Sequence, residues 1–262
     1  MDAFDRDAAI SALAWQIELG ADEAIADLPV DRYVDVPPPE PAAPVAAAQA
    51  SDAPALPKTD PTAGHIAEAA RLAATAHDLE TLAHVMQGFD GCSLKQGARN
   101  FVFSDGHAGA SLMIVGEAPG RDEDIEGRPF VGRSGQLLDK MMDAIGRART
   151  ADDPTNAVYI TNVLPWRPPQ NRDPSVDEMA MMKAFLLRHI ELAAPKCLLL
   201  LGNSAMKTLF ETSRGITAMR GQWKEVAGVP AIASFHPAAL LRNPAHKRAA
   251  WEDLLNVKAK LK

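Results

Sequence analysis

Cysteine is scarce in this chain: Cys92 and Cys197 are the two thiols among 262 residues. Two cysteines cannot build a disulfide framework, so the sequence points to a reduced, cytoplasmic compartment. No run of about 18 apolar residues occurs, and without one no membrane-spanning helix is expected. The chain starts Met1-Asp2-Ala3-Phe4-Asp5, acidic where a secretory leader is basic, so export is not expected. Neither a Gly-x-Gly-x-x-Gly run nor a phosphate loop with Gly-Lys-Ser/Thr follows any apolar segment, which leaves a nucleotide-binding α/β protein little support.

What is present is unevenly distributed. The net charge is −7, yet residues 1–63 hold 12 acidic and 3 basic residues, leaving 22 acidic and 24 basic in the remainder. The acidity belongs to the N-terminal part, and the rest is mildly basic, which permits contact with a polyanion. Residues 1–27 read as a helical arm, with Ala8, Ile10, Leu13, Ala14 and Ile17 at near-helical spacing. Residues 28–63 are rich in proline and alanine, from Pro37-Pro38-Pro39 to Pro61, and read as an extended or disordered linker. Residues 64–262 form the expected globular domain, opening with helical periodicity over 64–87.

From about residue 110 the pattern alternates. Short apolar runs at 111–116, 157–163, 197–202 and 230–235 read as buried parallel strands. Helical segments are predicted at 135–147, 177–193, 203–211 and 245–260. This order predicts an α/β fold, a three-layer α/β/α sandwich around a central four-stranded parallel sheet. In such sheets ligands bind beyond the carboxyl ends of the strands, and the polar motifs of this chain stand directly there.

The first strand runs into Gly116-Glu117-Ala118-Pro119-Gly120-Arg121-Asp122-Glu123-Asp124, followed by Gly127-Arg128-Pro129-Phe130-Val131-Gly132-Arg133-Ser134-Gly135. Carboxylates beside an aromatic suit a flat ring and a developing positive charge; a solvated Gly-rich turn fits the same residues. The second strand ends in Asn162, whose amide both donates and accepts and so can read an imide edge, or cap a turn. Arg167 and Arg172 lie on the proline-stiffened loop Arg167–Pro174 and suit phosphate contacts, or plain solvation. The fourth strand ends in His236-Pro237, with Leu240-Leu241-Arg242 close behind. Two leucines in a Pro-bounded segment are either core or a wedge that enters a base stack.

Taken in order, these segments resemble family 4 of the uracil-DNA glycosylase superfamily. The family's first motif, GEAPG with an acidic pair and then G-x-PFVG-x-(A/S)-G-x-L-L, is matched by residues 116–138. Its YITN strand end matches Tyr159–Asn162, its RPP-x-NR-x-P loop matches Arg167–Pro174, and its HP-x-x-LLR motif matches His236–Arg242. The likeness spans about residues 88–255. It implies that Phe130 stacks on a flipped uracil, Asn162 bonds its polar edge and Glu117 lines the uracil pocket. It also implies that His236 and Glu123 are catalytic, His236 donating to O2 and Glu123 orienting water or stabilising the sugar cation. Arg167, Arg172, Leu240, Leu241 and Arg242 are then the DNA-binding residues. The implied reaction is hydrolysis of the N-glycosidic bond of uracil in DNA. No lysine stands out as a Schiff-base nucleophile, so strand cleavage is not expected.

The sequence departs from this family at one place. Family-4 enzymes hold an iron–sulfur cluster on four cysteines. Here the first pair is replaced by Phe89-Asp90-Gly91-Cys92, Trp166 stands at the third position and Met182 at the fourth. One thiolate cannot hold a cluster that needs four, so no cofactor and no metal are expected. Phe89, Trp166 and Met182 are expected to fill that volume, and Cys197 is read as a buried strand residue. The expected partner is uracil-containing DNA, with no membrane, a monomeric enzyme, and an N-terminal arm free for a repair partner. The competing expectation is a catalytically weak module that captures uracil or damaged DNA without cleaving; retention of Glu123 and His236 argues against it.

Overall fold

The computed structural model describes residues 61–262. The expected arm over 1–27 and nearly all of the linker therefore lie outside the described residues. The region read as one helical segment is two helices, α1 (Pro61–Thr75) and α2 (Leu79–Gly88). Helix α1 begins inside the stretch read as linker to 63, with Pro61 at its first position, where a missing N–H costs nothing. The break is made by Asp78, whose carboxylate caps α2 by accepting from Thr81 N at 2.7 Å.

The remainder alternates strand and helix: β1 (Asp105–Gly106), β2 (Leu112–Gly116), α3 (Arg121–Glu126), α4 (Arg133–Ala144), β3 (Val158–Asn162) and α5 (Val176–Ala193). Then follow β4 (Cys197–Leu201), α6 (Gly202–Phe210), α7 (Ile216–Met219), β5 (Trp223–Val226), β6 (Val229–Ser234), α8 (Pro237–Arg242) and α9 (Lys247–Lys260). The sheet order is β1-β3-β2-β4-β6-β5. The four predicted strands are its parallel centre, and β1 and β5 add antiparallel edges. The sheet is therefore six-stranded rather than four. The edges escaped the apolar pattern because β1 has two residues and β5 is exposed at three of its four positions.

All residues of β2, β3 and β4 are buried, as expected of parallel strands covered on both faces. Met113, Val115, Tyr159, Leu198 and Leu200 face a core shared with α1, α2, α5 and α6. Leu112, Ile114, Val158, Ile160, Cys197 and Leu199 face the opposite core, against α4 and α9. Alternation along each strand thus builds three layers. Among the described residues no helix is long and apolar enough to cross a membrane.

The chain leaves β2 for β3 on one side and later returns to place β4 on the other. The carboxyl ends of β2 and β3 finish level, with Gly116 opposite Asn162. A crevice opens at this point, where the strand order reverses.

Candidate active site

The crevice encloses a cavity of about 650 Å³ whose walls include Glu117, Phe130, Asn162, Ser204, His236 and Arg242. The walls come from four strand ends and the segments behind them, with Phe130 beyond Glu117 after β2 and Arg242 beyond His236 after β6. Glu117 follows β2, Asn162 closes β3, Ser204 lies in the first turn of α6 after β4, and His236 follows β6.

Phe130 is buried and held at φ 54°, a left-handed conformation that non-glycine residues rarely adopt. The neighbours that fix it are specific. Arg149 donates to the carbonyls of Pro129 at 3.0 Å and Phe130 at 2.9 Å, while its guanidinium pairs with Asp105 and Asp139. Two glycines let this aromatic loop close. A Cβ on Gly135 would lie 1.8 Å from Phe130 O, and one on Gly116 would lie 2.3 Å from Asn162 Oδ1 and 2.5 Å from the Phe130 ring. The Phe130 ring also sits 5.4 Å from the His236 ring, centroid to centroid.

Asn162 is buried, and its Oδ1 has no hydrogen-bond partner. A buried orphan acceptor is costly unless a ligand completes it. His236 caps α8: its Nδ1 accepts from Ala238 N at 3.2 Å. A neutral imidazole with Nδ1 accepting carries its proton on Nε2, so the ring offers one N–H donor. Burial, helped by the Arg242 charge, pushes the His236 pKa down to about 4, so the ring is neutral at physiological pH.

The two candidate carboxylates differ in what they touch. Glu123 accepts three backbone N–H bonds, from Gly120 at 3.1 Å, Val131 at 3.0 Å and Gly132 at 2.9 Å. It ties the start of α3 to the Phe130 loop, and its lone pairs are largely spent on that brace. Glu117 keeps most of its carboxylate free. Ser204 Oγ donates to Glu117 Oε2 at 2.5 Å. Burial pushes the Glu117 pKa up; the Ser204 hydrogen bond opposes this, Asp173 adds to it and Arg242 offsets it.

The expected DNA-binding residues divide. Leu241 and Arg242 are exposed at the rim. Leu240, expected to enter DNA, is instead buried against Phe235 and Ala250, because the one-residue offset on α8 turns it inward. Arg167 is partly exposed and bonds Asn171. Arg172 is held in a bidentate pair with Glu178, at 2.6 and 2.9 Å, and so braces the start of α5. Ser204 and Arg149 were not singled out in the sequence. The rule that ligands gather at strand ends could have found Ser204; nothing local marks Arg149.

The donors present do not fit an iron–sulfur cluster. Cys92 lies in the core beside α5 and Cys197 in the core on the opposite face of the sheet. Burial pushes the Cys92 thiol up and the Cys197 thiol up to about 12, so both sit as neutral thiols in apolar surroundings. Phe89, Trp166 and Met182 are buried in the same apolar cluster as Cys92, with Phe89 against Phe185 at 5.5 Å and Trp166 against Phe101 at 5.7 Å. Among the described residues no group of three or more His, Cys, Asp or Glu could hold a metal ion.

Comparison with known proteins gives a consistent picture. The profile of the uracil DNA glycosylase superfamily matches residues 103–255. A type-4 uracil-DNA glycosylase of Sulfurisphaera tokodaii is 39% identical over 176 residues, covering 64% of this chain and 77% of its own length. One from Archaeoglobus fulgidus is 40% identical over 161 residues, covering 58% and 78%. One from Saccharolobus solfataricus is 34% identical over 192 residues, covering 70% and 87%.

Proposed function

This chain belongs to the uracil DNA glycosylase superfamily, and from that premise we propose that it hydrolyses the N-glycosidic bond of uracil in DNA. The products are free uracil and an abasic site. The observation that carries the reading is the buried, unpartnered Asn162 Oδ1 in a cavity shared with Phe130 and a neutral His236. That combination suits a flat imide: Phe130 stacks on the ring, and Asn162 accepts from N3–H and donates to O4.

Cleavage of the bond leaves negative charge on the base and positive charge on the sugar. Nε2–H of His236 donates to O2 and stabilises the departing uracil anion. A neutral ring suits this role, because it gives a hydrogen bond without surrendering its proton. Glu117 faces the sugar as a carboxylate: it stabilises the cation and takes a proton from the water that adds to C1′. Glu123 supports this work through the backbone of the Phe130 loop. Leu241 and Arg242 stand where they can occupy and clamp the position left by the flipped nucleotide, and Arg167 and Arg172 border the same face. The enzyme is monofunctional and acts as a monomer, and its two free, buried cysteines support a reduced, cytoplasmic compartment. Residues 1–27 serve as an arm for a repair partner.

The test is uracil release from a labelled duplex with one G·U pair, comparing the full chain with His236→Ala. Release that falls by roughly a hundredfold or more in the variant is expected. Tight retention of uracil-DNA with no release by either protein would instead establish a binding module.

A further inference from the structure

Serine in the first turn of a helix ordinarily turns its hydroxyl back on nearby backbone. Ser204 does not. Its side chain is buried at the start of α6, and its Oγ crosses from the end of β4 to Glu117, which follows the neighbouring strand β2. Among the described residues it is the one hydrogen-bond donor to this carboxylate. We infer that Ser204 is a positioning residue for the reaction, its hydroxyl holding the Glu117 carboxylate ionised and in a fixed orientation over the cavity. The inference rests on the reading of Glu117 as the working carboxylate.

The surroundings make such a device necessary. The site needs Glu117 as an anion, yet the cavity that desolvates substrate also desolvates Glu117 and favours its neutral form. The charged and titratable groups that share its cavity come from five elements, and they include Arg121 and Asp122 of α3 and Arg133 at the start of α4. Asp173, on the loop before α5, opposes the anion, whereas Arg242, at the end of α8, favours it. Arg172 is engaged by Glu178, and His236, after β6, is neutral. Glu123, from α3, is satisfied by its three backbone donors. Ser204 opposes burial at contact distance and adds direction, because a hydrogen bond to one oxygen leaves the other free to meet water or the sugar.

The experiment is single-turnover uracil release between pH 5 and 9 by the full chain and by the Ser204→Ala, Ser204→Thr, Ser204→Val and Glu117→Gln variants. Single turnover removes product release from the measurement. Loss of the hydroxyl disfavours the anion, so the acid limb of the Ser204→Ala profile is expected to move to higher pH. Its rate at the acid end should fall roughly tenfold more than its rate at pH 8. Ser204→Thr, which keeps the hydroxyl, should restore the wild-type limb; Ser204→Val, of the same shape, should not. A Ser204→Ala profile that only drops in parallel across the range, while Glu117→Gln abolishes release, would overturn the role of Ser204 and leave Glu117 standing. Wild-type rates in Glu117→Gln would overturn both.

Discussion

Asn162 and Glu123 show how far a residue's type predicts its work. Both line the cavity. Asn162 is left with an acceptor that none of the described residues completes. Glu123 is satisfied by three backbone donors. A carboxylate in that position is legible in the sequence; what it bonds to is not, because its partners Val131 and Gly132 contribute only main chain. The two acids should respond differently to substitution. Glu117→Gln should lower single-turnover excision with little change in melting temperature. Glu123→Gln keeps one acceptor oxygen but loses charge-assisted bonds, and should lower thermal stability together with activity. Thermal melting beside a uracil-release assay separates the cases, and equal destabilisation by both variants would contradict the division of roles.

The same contrast holds for elements. The short helix α8 was expected to present two leucines to DNA, but one turn of helix points Leu240 inward and Leu241 outward. The Phe130 loop is an element of another kind, strained at φ 54° and held by Arg149 from outside the motif. Arg149→Met removes both carbonyl bonds and the pairs with Asp105 and Asp139. It should lower kcat/KM for uracil release by roughly tenfold, through a loosened stacking platform. Unchanged kcat/KM would show that the loop holds itself. A third case is the apolar cluster of Phe89, Trp166 and Met182 between α2, the loop after β3 and α5. Trp166→Ala should lower Tm by several degrees, the scale of a loss of about 3 kcal/mol or more for a buried Trp. An unaltered Tm would show that these side chains carry no packing role there.

Across the whole molecule, two histidines are kept neutral by burial, His189 with its pKa pushed down to about 3 and His236 to about 4. His189 lies under the Phe103 ring at 4.3 Å, with its Nε2 2.9 Å from the Tyr159 hydroxyl. In the unfolded chain both take a proton near pH 6.5. Between about pH 6.5 and about 4 the unfolded state therefore binds more protons, and stability falls as pH falls through that window. Thermal unfolding at pH 7.5 and pH 5 should show this loss, and His189→Gln should make it shallower. A Tm that rises on acidification would refute the sign. The charge split along the chain leads to a separate expectation. Deletion of residues 1–60, which carry most of the acidic excess, should leave uracil excision largely intact. A large loss in the truncated protein would assign those residues a part in catalysis or DNA binding.

The sequence by itself determined the alternation of buried strands and helices, the three layers, and the set of polar residues at the strand ends. These follow from periodicity and from motifs contiguous in the chain, so they survive without knowledge of distance. Tertiary structure decided the rest. It added the edge strands β1 and β5, too short or too exposed to carry an apolar signal. It set Cys92 and Cys197 on opposite faces of the sheet. It turned Leu240 into the core, committed Glu123 to the backbone, and joined Ser204 to Glu117 across 87 residues. Each of these depends on which atoms meet after the strands have been ordered in the sheet. A linear pattern encodes which face a residue occupies, but not its partner on the neighbouring strand.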